Sequence, residues 1–228
     1  MEQSDNETMI YLFLLFLEIV LLFFLSRIMS KTLSRFLPMQ VLSFIFLPGV
    51  IIHEVSHMLV AAGLFVGVGD IEFSPKIDKN KLKLGSVGIA KTDPIRRAII
   101  GFAPVFVGVL LILGIVYFFL NNPAIFQGNK IYITISIVLM VIYILFVISN
   151  TMFSSSADME GTLEILIAIL IIFTALYLIG FRFPTYFTEY LFRPEAVGLI
   201  KKTSMSLLAP IVIDLVILGG VRILSDKR

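Results

Sequence analysis

The chain has 228 residues, of which 58% are apolar and 15% charged, and its mean hydropathy is +1.01. A soluble domain is about 45–50% apolar and about 25% charged, so this excess is too large for one water-surrounded core and marks a polytopic membrane protein. Cysteine is absent, which excludes disulfides, thiolate zinc sites, iron–sulfur clusters and cysteine nucleophiles. A net charge of +2 supplies no basic field for nucleic acid.

A helix needs about 20 mostly apolar residues to cross a bilayer. Six stretches meet this in chain order: residues 10–25, 36–65 (interrupted by Pro48), 95–120, 131–148, 162–179 and 205–224, the last containing Pro210. The first follows an acidic leader with no small-x-small cleavage site, so it is expected to stay as a membrane helix rather than act as a cleaved signal. With six alternating crossings and the N-terminus in the cytoplasm, the inside loops carry ten cationic residues against eight outside, a slight positive-inside preference.

Between the second and third stretches lies a polar insert, residues 66–97. Ile71-Glu72-Phe73 and Lys81-Leu82-Lys83-Leu84 alternate apolar and polar residues, and Asp78-Lys79-Asn80 between them has turn chemistry. Gly85, Val87, Gly88 and Ile89 continue the second strand, which predicts a β-hairpin over 71–90. A second insert, residues 180–202, mixes Phe and Tyr with Arg and Lys, a composition that suits the headgroup interface. The expected architecture is an all-α polytopic membrane protein of about six transmembrane helices. It has a small β-hairpin between helices two and three and forms one domain over residues 1–228, with its core at 36–161.

Both histidines of the chain fall in His53-Glu54-Val55-Ser56-His57, an H-E-x-x-H inside the second apolar stretch. With nine glutamates in the chain, chance places two histidines and a glutamate in this pattern less than about once in a thousand trials. The i, i+4 spacing puts both imidazoles on one helix face, where two ring nitrogens reach one Zn²⁺ at about 2.0–2.1 Å. Glu54 then sits beside the ion, placed to hold the attacking water and take its proton. Ionisable groups at membrane depth cost several kcal/mol unless partnered, so they default to function; packing histidines are the plain alternative.

A third ligand must be a carboxylate, since no other His and no Cys remain. Glu18, Asp158, Glu160, Glu164 and Asp214 are the candidates at or near membrane depth. The turn after the fourth helix lies on the same side of the membrane as the motif, which favours Asp158, with Glu160 and Glu164 behind it. Glu18 and Asp214 suit pairing across helices, or a transport role. Ser154-Ser155-Ser156 reads as a turn, because no His or Lys remains nearby to activate a nucleophile.

An H-E-x-x-H in a membrane helix, followed two helices later by an Asp, resembles the site-2 protease family of intramembrane zinc metalloproteases (M50-type). That family has an Asn-x-x-Pro segment leading to Asp-Gly, with the Asp eight residues after the Asn. Asn150 and Asp158 keep this spacing, while Phe153 stands for the Pro and Met159 for the Gly, with Gly161 two residues further on. Gly101-Phe102-Ala103-Pro104 is loosely similar to the family's Gly-Pro element. The resemblance covers residues 48–161 and points to a divergent branch. It implies one Zn²⁺ per chain held by His53, His57 and Asp158, with Glu54 as general base. It implies substrate contact for Asn150, for which a structural bond across helices is an equal alternative. Pro48 would kink the motif helix and admit water, or is simply a tolerated kink. The hairpin would offer an edge strand to unwound substrate, or serve as an interfacial connector.

The expected activity is hydrolysis of peptide bonds in or near transmembrane segments of membrane-protein substrates, by a multi-pass protein of the cell membrane working in the lipid bilayer. The rival class is a non-proteolytic metal-binding scaffold or a small transporter.

Overall fold

The computed structural model describes residues 2–72, 76–78, 81–83, 85–127, 129–153, 171, 175, 178–179 and 193–225. Among them, five helices are long and apolar enough to cross a membrane, and a β-hairpin separates the second from the third. The molecule is a multi-pass integral membrane protein. The expected span at 162–179 lies outside the described residues apart from four isolated positions.

Helix α1 (Glu2–Phe36) runs on past Leu25, where the apolar run is broken by Ser26 and Arg27. Met29 and Leu33 keep one face buried through this stretch, so packing carries the helix across the charges. Helix α2 (Met39–Gly63) starts directly after Pro38, which lacks the amide that a helix start leaves unpaired. At its other end the Phe65 amide donates to the Ala62 carbonyl at 3.0 Å and the Val66 amide to the Ala61 carbonyl at 2.9 Å. This Schellman pattern needs a left-handed residue, supplied here by Phe65 at φ 58°.

The chain then enters strands β1 (Val68–Glu72), β2 (Lys76–Asp78), β3 (Lys81–Lys83) and β4 (Ser86–Ile89). β2 pairs with β3 with Asp78 opposite Lys81, and β1 pairs with β4 with Glu72 opposite Ser86. The two ladders nest as one antiparallel hairpin, as the alternation predicts. It begins three residues earlier than expected, at Val68, and its register shifts between Val68 and Ile71.

Helix α3 (Pro94–Asn121) has a complete start signal: Pro94 at the first helical position and Asp93 as N-cap. The Asp93 carboxylate accepts from the Arg96 amide at 3.0 Å, which holds its pKa below the ordinary carboxylate value. A short 3₁₀ turn (Pro123–Phe126) leads to α4 (Ile131–Thr151). The last described helix, α5 (Pro194–Ser225), begins well before the apolar stretch at 205 and again has Pro at its start.

Two contacts and a shared groove fix α5 parallel to α1. Lys201 lies over the Tyr11 ring, Ser204 bonds Glu18, and Arg222 shares a groove with Arg35. Six alternating crossings would set the last helix antiparallel to the first. Arg193, Lys201 and Lys202 at its start and Arg222 at its end therefore exchange sides relative to that order.

The interior is polar in a way water-soluble cores are not. Glu18, Ser149, Asn150, Thr151, Ser204 and Asp214 are buried, while Phe13, Phe44, Leu139 and Val216 are exposed on the outside. Lipid rewards that inversion, since apolar side chains lose nothing by facing acyl chains and polar ones gain partners inside.

Candidate metal centre

The site is built on the C-terminal half of α2. His53 and His57 are each 3% exposed and Glu54 is 5% exposed. The imidazole rings stand edge to face, 4.8 Å between centroids at 84°. Their Nε2 atoms are 3.2 Å apart. Two ligands at about 2.0–2.1 Å from one zinc at a tetrahedral angle are about 3.3 Å apart, so the pair has the spacing of neighbouring ligands.

The second nitrogen of His57 settles its tautomer. Nδ1 lies 2.8 Å from the carbonyl oxygen of Ile100 on α3. A carbonyl only accepts, so Nδ1 carries the proton and the Nε2 lone pair faces His53. Metal-ligating histidines are held in this way, with the remote ring nitrogen donating to a carbonyl or carboxylate. Ile100 is buried, and an unpaired carbonyl there would cost about 1–3 kcal/mol.

Glu54 is covered by the hairpin. A Cβ on Gly85, just before β4, would come within 2.7 Å of Glu54 Oε1 and 2.8 Å of Val50 Cγ1. Only glycine lets the strand lie this close. The sequence marked Gly85 as a strand residue and gave no hint of this contact.

Helix α4 reaches the site from the other side. A Cβ on Gly49, one turn before His53, would collide with Thr151 and Val147, so α2 and α4 are in close contact where α4 ends. Asn150, in that last turn, is 4% exposed. Its Nδ2 donates to Asp214 Oδ1 at 2.7 Å and to the Phe146 carbonyl at 2.9 Å. Both amide hydrogens are thus engaged in an interhelical and a local bond, and contact with a substrate oxygen would require one of them to be released. Asp214 is itself fully buried. Glu18 accepts from the Ser204 hydroxyl at 3.0 Å, a hydroxyl partner across helices of the kind expected.

Among the described residues, no group of three His, Cys, Asp or Glu side chains is arranged to hold a metal. The described part of the site brings together two imidazoles and the Glu54 carboxylate on one buried stretch of α2. Asp158, Glu160 and Glu164 lie outside the described residues, as does Ser154-Ser155-Ser156.

Fold and site together define a multi-pass membrane protein with a buried histidine pair on one helix, one of whose rings is held by a backbone carbonyl of the next helix. No family model, curated protein or solved structure matches the chain.

Proposed function

We propose that this protein is an intramembrane zinc endopeptidase of site-2 protease type, cleaving peptide bonds in or near the transmembrane segments of other membrane proteins. The observation that carries the reading is the histidine pair, with Nε2 atoms 3.2 Å apart and His57 Nδ1 committed to a backbone carbonyl. The Nδ1 bond turns the His57 Nε2 lone pair toward His53, the orientation that a shared Zn²⁺ needs. One Zn²⁺ per chain fits the two imidazoles, with Asp158 as the third ligand. In support, α4 ends beside Gly49, and Asp158 is only five residues beyond Phe153, a reach of up to about 17 Å.

Zinc held there would polarise the scissile carbonyl and acidify the attacking water to a pKa of about 7. Glu54 takes the proton of that water and returns it to the leaving amine. His57, fixed by Ile100, keeps its orientation through both steps. A helical substrate hides its peptide bonds, so it must unwind before attack. The hairpin lies over Glu54 and offers backbone groups to an extended segment.

The buried Glu18 and Asp214 favour the second reading, a small transporter or a metal-binding scaffold. Both carboxylates have neutral partners on neighbouring helices, which also serves simple helix association.

The test is zinc content and cleavage measured on the same detergent-purified samples, with single-span reporter segments as substrates. Wild type should hold one zinc per chain, and His53→Ala and His57→Ala should lose most of it. Glu54→Gln should keep zinc and lose more activity than the roughly 10²–10⁴ of an isolated acid–base group, because Glu54 serves two steps. Full zinc retention by both histidine variants would end the metalloprotease reading. Zinc lost in those variants, with no cleavage by wild type, would favour the scaffold.

A further inference from the structure

We infer that Pro104 is a positioning residue for the metal centre: by withholding its amide from the α3 ladder, it gives the Ile100 carbonyl to His57. The consequence for zinc rests on the function proposed above; the hydrogen-bond arrangement does not.

In an α-helix the amide of each residue donates to the carbonyl four residues earlier. The partner of the Ile100 carbonyl would be the amide of residue 104, which is proline and sits inside α3. Proline has no N–H, and its ring crowds the carbonyl one turn back and pushes it outward. Ile100 is 2% exposed, in a patch with Ala61 and Val66 where water does not reach it. The carbonyl therefore needs a donor from another element, and His57 Nδ1 stands 2.8 Å away on α2.

The chain of cause runs through three residues. Pro104 removes a helical donor, the Ile100 carbonyl turns to α2, and His57 must place its proton on Nδ1 to satisfy it. A neutral imidazole has one proton, so Nε2 is left as an acceptor, 3.2 Å from His53 Nε2. An alanine at 104 would restore the competing amide. The carbonyl would return to the ladder, and His57 would be released to either tautomer and to rotation about its ring bond. Pro104 touches neither the metal nor substrate; it acts through Ile100.

The experiment is nitrogen NMR on metal-free, ¹⁵N-histidine-labelled protein in detergent, at a pH where imidazoles are neutral, paired with zinc titration. Wild type should show His57 protonated at Nδ1 and bare at Nε2. Pro104→Ala should show a mixture of tautomers and bind zinc about ten- to hundredfold more weakly, the usual cost of losing such a support. Pro210→Ala, which restores an amide inside α5 instead, should leave the His57 signature unchanged. Two results would overturn the inference. One is a wild-type His57 protonated at Nε2, which needs no variant to fold. The other is a Pro104→Ala protein with the wild-type tautomer and zinc affinity within about twofold. If wild type binds no zinc yet shows the Nδ1 proton, the proposed function fails and the role of Pro104 stands.

Discussion

Gly85 is where the hairpin and the motif helix meet, and it makes the site sensitive to a single methyl group. An alanine there would press on Glu54 Oε1 and Val50. Because Glu54 is the proposed base and not a ligand, Gly85→Ala should cut cleavage at least tenfold while zinc content stays at one per chain. Wild-type cleavage in this variant would show that the hairpin does not constrain Glu54. The third ligand is tested at the same scale. Asp158→Ala should weaken zinc and abolish cleavage, and Asp158→Asn should bind zinc more weakly than wild type, since an amide is a poorer ligand. Asp214→Asn and Glu18→Gln should keep zinc, because both groups are paired elsewhere. Zinc retained in Asp158→Ala and lost in Glu160→Gln or Glu164→Gln would move the ligand along the chain. The histidine pair was legible in the sequence because its geometry is set by one helical turn. The partners of His57 and Asn150 were not, because each lies far along the chain, 43 and 64 residues away. Pro104 was the one local signal, since a proline inside an apolar helix always leaves a carbonyl without its helical donor.

Among the elements, the helices reveal where apolar patterning is enough and where it fails. The apolar run placed the start of α3 within one residue, and Asp93-Pro94, a cap and a first-turn proline together, fixes it there. The true extents of α1 and α5 were hidden behind Arg27, Lys201 and Lys202, which end an apolar run without ending the helix. Long basic side chains tolerate this by keeping their stems in the apolar layer, and Arg27 and Lys201 also stack on Phe23 and Tyr11. Close approach between helices was equally invisible, because a glycine in an apolar run looks the same whether it faces lipid or another backbone. Gly49 faces Thr151, and Gly114 of α3 has nothing near its missing Cβ. Gly49→Ala should therefore destabilise the protein by about 1–3 kcal/mol through overpacking. Gly114→Ala should stabilise it by about 0.5–1 kcal/mol through reduced backbone freedom. Unfolding in detergent with increasing denaturant, followed by circular dichroism, measures both. Equal effects of the two substitutions would mean that α2 and α4 are not in contact at Gly49.

The direction of α5 is a property of the whole molecule that no local pattern announces. Counting apolar stretches yields six crossings, and parity then returns the C-terminal end to the side where the chain began. The contacts Tyr11–Lys201 and Glu18–Ser204, and then the groove lined by Arg35 and Arg222, run in the same order along both helices, so α1 and α5 finish at the same end of the bundle. The ends of α1 and α5 and the α3–α4 connection should lie on one face of the membrane, and the hairpin and the start of α3 on the other. The natural absence of cysteine makes this directly measurable, since every introduced thiol is the only one in the chain. Single cysteines at Ser34, Gln127 and Ile223 should react together with an impermeant maleimide in one vesicle orientation. A cysteine at Thr92 should react only in the opposite orientation. If the cysteine at 223 reacts with that at 92, α5 is antiparallel to α1, and the Glu18–Ser204 bond does not form in the membrane. If it reacts with those at 34 and 127, the bundle is closed by a parallel pair of helices. The buried carboxylates then sit between helices held side by side at matching depth, with the histidine pair at the end of the bundle that carries the hairpin.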